Sequence, residues 1–322
     1  MKRALQVVAV LAGLLLVGVG GVYAWANLTA ARILGRTIDS HRVDFPIPFP
    51  LSEAELAELD TDEDASAVAL DRAIERGRHL VEARYVCVEC HGRNFGGGVM
   101  VDDPMIGRLL GPNLTSGQGS RTLGYSTSDW DRIVRHGLRP DGAPAAMPSE
   151  DFRLMSDQEL SDIVTYIRSM PPVDATVPSV RLGPLGKVLI ATGNLPLSAD
   201  LIGDHQGTHL GVPPETDESA EFGAHLAGVC TGCHRSDLAG GPVPGGDPSW
   251  PPAANITPHE DGIAGWSYDD FAAALLEGRR PDGTELREPM SLMPQYAQNM
   301  TETELRALWL FVQSVPAVPT PE

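Results

Sequence analysis

The chain has 322 residues, and its 24 Lys+Arg against 43 Asp+Glu leave a formal net charge of −19. So acidic a chain lacks the clustered cations that displace counterions from phosphates, which excludes nucleic acid as its partner. A hydrophobic content of 42% and a charged content of 21% are those of a folded chain, while 34 Gly, 27 Pro and only 6% aromatics predict many loops and few bulky core side chains.

In chain order, Lys2 and Arg3 precede an apolar stretch from Ala4 to Ala26, broken only by Gln6. As a helix it spans about 35 Å, against about 30 Å for a bilayer core. Tyr23 and Trp25 fall at its far end, where amphipathic rings favour the interface. Residues 1–26 are therefore expected to form a transmembrane anchor. The competing reading is a signal peptide cleaved near Ala24-Trp25-Ala26. Either way the chain is expected to be exported. Residues 27–70 read as a linker. Its Phe45-Pro46-Ile47-Pro48-Phe49-Pro50 run should be an extended spacer lifting the remainder off the membrane. Its Glu53–Asp64 stretch has seven acids and no base, and reads as a solvated segment or short helix, or else as a docking patch for a basic partner.

From residue 71 the sequence repeats. Cys87-Val88-Glu89-Cys90-His91 returns 143 residues later as Cys230-Thr231-Gly232-Cys233-His234. Asn113-Leu114-Thr115 returns as Asn255-Ile256-Thr257, Gly124-Tyr125-Ser126 as Gly265-Trp266-Ser267, and Arg139-Pro140-Asp141-Gly142 as Arg280-Pro281-Asp282-Gly283. Met147-Pro148 returns as Met293-Pro294. The repeat predicts one domain over residues 71–175, a connector over 176–214, a second domain over 215–318 and a tail at 319–322. Capping boxes at Ser156–Glu159 and Thr301–Glu304 open helices whose apolar faces are spaced i, i+3, i+4, i+7 and which stop before Pro171 and Pro316. A middle helix starts near Ser126 or Ser267, and a third runs through His79 or His225 into each cysteine motif. No alternating stretch is long enough for a sheet, so each domain is expected to be all-α. The apolar, glycine-rich stretch Leu182–Leu195 of the connector is expected to pack across the two domains, the alternative being a contact with a partner.

Cys-x-x-Cys-His is the attachment signature of c-type haem. Thiols one helical turn apart add to the two haem vinyl groups, and the following imidazole reaches the iron. Cys87, Cys90, Cys230 and Cys233 are thus the expected covalent tethers of two haems c, with His91 and His234 as proximal iron ligands. A four-thiolate zinc site or two disulfides would account for neither the histidine after each pair nor the repeated Met-Pro. A thioredoxin-like redox pair lacks its βαβ context. Met147 and Met293 are the expected sixth ligands, since a neutral thioether favours reduced iron; Met290 is a rival without the following proline. His136 is matched by Glu277 and is not expected to share a ligand role. His79 and His225 read as surface or propionate-facing. Asn113, Asn255, Tyr125 and Trp266 either hydrogen-bond around the haem or shape its loop.

On these motifs both halves resemble class I cytochrome c domains, and the whole resembles membrane-anchored bacterial dihaem cytochromes c. The halves are also similar to the haem domains of the cytochrome subunit of membrane alcohol dehydrogenases, which carries three attachment motifs where this chain has two. The resemblance implies that the first and last helices of each half cross, with Gly77 against Tyr166 and Gly223 against Phe311, and that haem fills the core. It implies a carrier of single electrons, not an enzyme, with no small-molecule substrate. The domains would lie in the periplasm, anchored in the bacterial inner membrane. A dehydrogenase or quinol oxidase would be the donor, and an oxidase or soluble cytochrome the acceptor. Alternatives are a cytochrome subunit of a membrane dehydrogenase complex and, further off, a dihaem peroxidase.

Overall fold

The first helix, α1, runs unbroken from Lys2 to Gly35, nine residues past the apolar stretch. All of it up to Tyr23 is exposed, and only Ala26 and Ala30 near its far end are buried. This computed structural model describes residues 1–247 and 249–321, so the last residue of the tail expected at 319–322 lies outside the described residues.

The chain then crosses the first domain as a strap. Phe45 and Leu51 are buried, Ile47 and Phe49 half-bury against the first core, and the Pro46 carbonyl accepts a 2.7 Å bond from Ser161 Oγ. The expected spacer off the membrane is thus corrected: four apolar side chains gain more by leaving water than the extended chain loses in freedom. The acidic stretch contains α2 (Glu53–Ala57), opened by a Ser52–Glu55 capping box, and Glu55 pairs with Arg72 and Arg76.

The first domain has α3 (Ala65–His79), a π-helical turn at Leu80–Arg84, α4 (Cys87–His91), strands β1 (Gly98–Asp103) and β2 (Gly107–Gly111), α5 (Thr127–Arg135) and α6 (Asp157–Ser169). The second repeats this plan with α9 (Ala220–Leu226), α10 (Thr231–His234), α11 (Tyr268–Glu277), α12 (Pro294–Ala297) and α13 (Glu302–Ser314). Between them lie β3 (Arg181–Leu182), α7 (Pro184–Thr192) and α8 (Ser198–Leu201).

The four repeat-related starts are all capping boxes: Ser126–Asp129, Ser156–Glu159, Ser267–Asp270 and Thr301–Glu304. Helices α3 and α6 cross where a Cβ on Gly77 would run into Asp162 O and lie 2.8 Å from Tyr166 Cβ. Helices α9 and α13 cross where a Cβ on Gly223 would run into Ala307 O and lie 2.7 Å from Phe311 Cβ. The expected Gly77/Tyr166 and Gly223/Phe311 contacts are therefore present. Each half encloses its own core, around Leu80, Trp130, Leu160 and Val164 in the first and Phe222, Leu226, Leu308 and Val312 in the second.

Two further expectations are corrected. The expected all-α class becomes two mostly helical domains plus one small antiparallel sheet of order β1-β2-β3. Asp103 Oδ1 closes the β1–β2 turn by accepting from Met105 N and Ile106 N, both at 2.7 Å. Val99 and Met100 on β1 are exposed, so the alternating face that marks a strand in sequence is missing. The connector does pack, chiefly on α1, where Ile190, Leu197 and half-buried Leu182 and Leu195 meet Ala30, Ile33 and Leu34, while Leu195 also lies close to Gly245 of the second domain. It joins the end of α1 to the first domain.

Candidate haem sites

Each cysteine motif occupies a short helix, α4 or α10, and the turn after it is the same in both halves. Residues 92 and 235 adopt positive φ (73° at Gly92, 69° at Arg235), as do Phe95 (54°) and Leu238 (60°). That left-handed conformation is disfavoured for any side chain, so its recurrence at Arg235 shows that the surroundings impose the turn. Gly97 N donates to His91 O at 3.0 Å and Gly240 N to His234 O at 3.1 Å. The first half adds a tight lid: a Cβ on Gly111 would run into the Cys90 carbonyl.

The two motif histidines are oriented alike. His91 Nδ1 lies 3.0 Å from Pro112 O, and His234 Nδ1 lies 2.8 Å from Ala254 O. A carbonyl can only accept, so Nδ1 carries the proton and Nε2 keeps its lone pair free for a metal. Burial lowers both imidazole pKa values, and both rings stay neutral. All four cysteines are free. Burial pushes the Cys87 and Cys230 thiols up to about 12 and the Cys90 and Cys233 thiols to about 11. Each pair is only half-buried and lies beside a motif histidine at the edge of an apolar core.

Around each motif a matched set of side chains is only half-buried against its core. Cys87, Leu114, Tyr125 and Val134 form it in the first half, and Cys230, Ile256, Trp266 and Leu275 in the second. These aligned apolar edges fit a flat hydrophobic group tethered at the cysteines. A polar handle fits too, because Trp130 Nε1 is buried without a partner. Its repeat position is Phe271, so this donor belongs to the first half alone.

Met147 joins the half-buried set of the first half, and its segment is clamped. Ser198 Oγ bonds Met147 O, Ser149 N donates to Ser198 Oγ at 2.9 Å, and Ser149 Oγ donates to Ile133 O at 2.8 Å. The equivalent loop of the second half is longer and exposed from Pro281 to Glu285. Met293 begins α12 half-buried, bonded through N to Met290 O at 3.0 Å, but outside the side chains packed on the second core. The structure thus assembles the first site more fully than the second.

Asn113 and Asn255 shape the loop. Asn113 Oδ1 accepts from Thr115 N (2.9 Å) and Oγ1 (2.8 Å), while its Nδ2 donates to Val173 O (2.6 Å) and Ala175 O (3.1 Å). Asn255 repeats this with Thr257 and Val318 O. His225 is buried and His79 half-buried, and both reach across to a glutamate of the other domain. Ser198 had no sequence signal, since it lies in the connector and not in the repeat.

These features define a chain with two c-type haem domains. Residues 72–167 match the family described as "Cytochrome C oxidase, cbb3-type, subunit III", and residues 220–316 match the family "Cytochrome c". The chain is a dihaem cytochrome c, carrying two covalently bound haems c. It is 26% identical over 264 residues to the cytochrome c subunit of alcohol dehydrogenase (quinone) from Gluconacetobacter polyoxogenes, a match covering 72% of this chain and 54% of that one. It is 26% identical over 273 residues to the fructose dehydrogenase cytochrome subunit of Gluconobacter japonicus, covering 76% and 53%. It is 25% identical over 256 residues to a diheme cytochrome c-type protein of Cereibacter sphaeroides, covering 72% and 82%. The chain thus spans about half the length of the two dehydrogenase subunits.

Proposed function

We propose that this protein is an electron carrier held at a membrane. In this reading Cys87 and Cys90 tether one haem and Cys230 and Cys233 the other. His91 and His234 would hold the iron through Nε2, and Met147 and Met293 would supply the thioether ligands. Bound in this way, each haem supplies one-electron exchange between ferric and ferrous iron. The protein's own residues fix the imidazoles through the Pro112 and Ala254 carbonyls, keep them neutral by burial, and cover the ring edges with apolar side chains. If Met147 and Met293 both serve as ligands, no open iron site would be left for a substrate, which would favour transfer over catalysis and count against a peroxidase.

The observation that carries this reading is the twofold occurrence of a motif histidine with Nδ1 bonded to a backbone carbonyl and Nε2 free. A pyridine haemochrome assay on the matured protein tests it. Two haems per chain are expected; one would remove the assignment from one half, and none would overturn it entirely.

The N-terminal helix, 34 residues long and with no burial in its most apolar stretch, supports a membrane span. The domains would then face the periplasm, where covalent haem attachment takes place. Confinement to the membrane raises the encounter rate with redox partners, and the net charge of −19 steers basic faces. A second reading, a cytochrome subunit within a membrane dehydrogenase complex, is favoured by the likeness to two dehydrogenase cytochrome subunits. Co-purification of a dehydrogenase from detergent extract would select it over a free carrier.

A further inference from the structure

We infer that His41, Asp131, His136 and His209 form a zinc site separate from both haems. Four nitrogen and oxygen donors from three stretches of chain converge there, all within 4.8 Å of one another. His41 comes from the strap, Asp131 and His136 from α5 and its end, and His209 from the connector. Donors bound to a tetrahedral zinc at about 2.0–2.1 Å stand about 3.3–3.4 Å apart. His136 Nε2 and His209 Nε2 are 3.3 Å apart, and Asp131 Oδ2 lies 3.5 Å from His136 Nε2 and 3.8 Å from His41 Nε2.

The hydrogen bonds behind these atoms fix what each can do. His209 Nδ1 faces Arg153 O at 3.0 Å, and His41 Nδ1 faces His205 O at 3.4 Å. His205 Nε2 faces Ala199 O at 3.1 Å, so it is protonated there and its Nδ1 accepts from His136 Nδ1 at 3.2 Å. All three rings therefore carry hydrogen on Nδ1 and turn an Nε2 lone pair inward. Two such lone pairs facing each other at 3.3 Å repel unless a cation lies between them. Two further atoms await a partner: Asp131 Oδ2 and His41 Nε2 are buried and make no hydrogen bond. The Asp131 side chain is 0% exposed, and a buried carboxylate oxygen without a donor is costly.

Its other oxygen is held by Arg135, which also binds Asp157 and Met155 O. The two carboxylates outnumber that guanidinium, so the site retains negative charge for a dication. Three imidazoles and a carboxylate match zinc better than Mg2+ or Ca2+, which take oxygen sets.

The cytochrome repeat does not contain this site. Counting from the matching Ser126 and Ser267, the positions of Asp131 and His136 are taken by Ala272 and Glu277. The site serves instead to fasten the strap and connector to the first domain. The connector so held also delivers Ser198 to Met147 O.

The test is zinc analysis of the haem-loaded full chain in detergent, by elemental mass spectrometry after dialysis and then by Zn2+ titration against a competing chelator. One zinc per two irons is expected. His41→Ala and His209→Ala, each checked for an unchanged haem spectrum, are expected to weaken Zn2+ binding more than about 100-fold, beyond the usual effect of losing an outer partner. Wild-type protein that binds no zinc saturably would overturn the proposal, even if the variants fail to fold. So would zinc that both variants hold as tightly as the wild type.

Discussion

His79 on α3 bonds Glu304 on α13, Nε2 to Oε1 at 2.8 Å, and the repeat builds the same pair in exchange, with His225 Nε2 2.9 Å from Glu159 Oε1. Each half lends its histidine to the other half's carboxylate, as a twofold dimer does. Both glutamates are also the capping-box carboxylates of their own helices, through Ser156 and Thr301. A single buried group thus fixes a helix start and the domain contact. Arg84 sits between them, bonding Glu304 and, at 3.2 Å, Glu159 Oε1, with its guanidinium 5.3 Å above the Phe222 ring. It lies in the π-helical turn that the second half lacks.

This contact predicts acid sensitivity. Burial by itself would raise the Glu304 carboxyl, but the His79 bond and Arg84 outweigh it and hold the group down at about 2. An unfolded glutamate titrates near about 4.3. The resulting stability, on the order of 3 kcal/mol, is complete above that pH and is lost as pH falls through about 2. Thermal unfolding between pH 2 and 6 should show this slope in the wild type and a flatter one in Glu304→Gln; parallel slopes would count against the contact.

The axial assignment predicts separate effects for the two methionines. Met147→Ala should remove the thioether-to-iron charge-transfer band of one haem, and Met293→Ala that of the other. Each should lower its own potential by roughly 0.1 V or more, within the ~0.8 V that axial ligands span. Spectroelectrochemical titration reads both, and an unchanged haem in either variant rejects that ligand.

The helix crossings predict that Gly77→Ala and Gly223→Ala each destabilise by about 3 kcal/mol, because the added methyl meets a backbone carbonyl that cannot give way. Denaturant unfolding of each variant measures this. A loss under about 0.5 kcal/mol would mean that the helices can separate freely.

Asn255→Ala should cost about 2–3 kcal/mol, since it strips donors and acceptors from Thr257 and Val318 in a buried loop. Proteolysis should then open the C-terminal segment first. The same cleavage rate in variant and wild type would show that the clamp is not needed.

Removal of residues 1–21 should release a haem-loaded protein into the soluble fraction, because every one of those residues is exposed while Ala30, Ile33 and Leu34 still pack on the connector. Retention in the membrane pellet would point to a second attachment.

Much of the site was legible because it is local. A pentapeptide of two cysteines and a histidine, a Met-Pro after a Pro-Asp-Gly turn, and a serine three residues before a glutamate keep their meaning wherever the fold puts them. The repeat then doubled each signal. The β1–β2 hairpin was illegible because its exposed side chains give no alternation, and Ser198 because nothing near it in sequence announces a hydrogen bond to Met147.

The amino-acid order by itself determined two haem-binding helical halves, their capped helices and an apolar N-terminal helix, all properties of neighbours within a few turns. Tertiary structure decided which residues meet across long stretches of chain. His79 found Glu304, and His41 and His209 closed on α5. Such pairs follow from how helices of fixed shape fill space together, and periodicity along the chain carries no record of them.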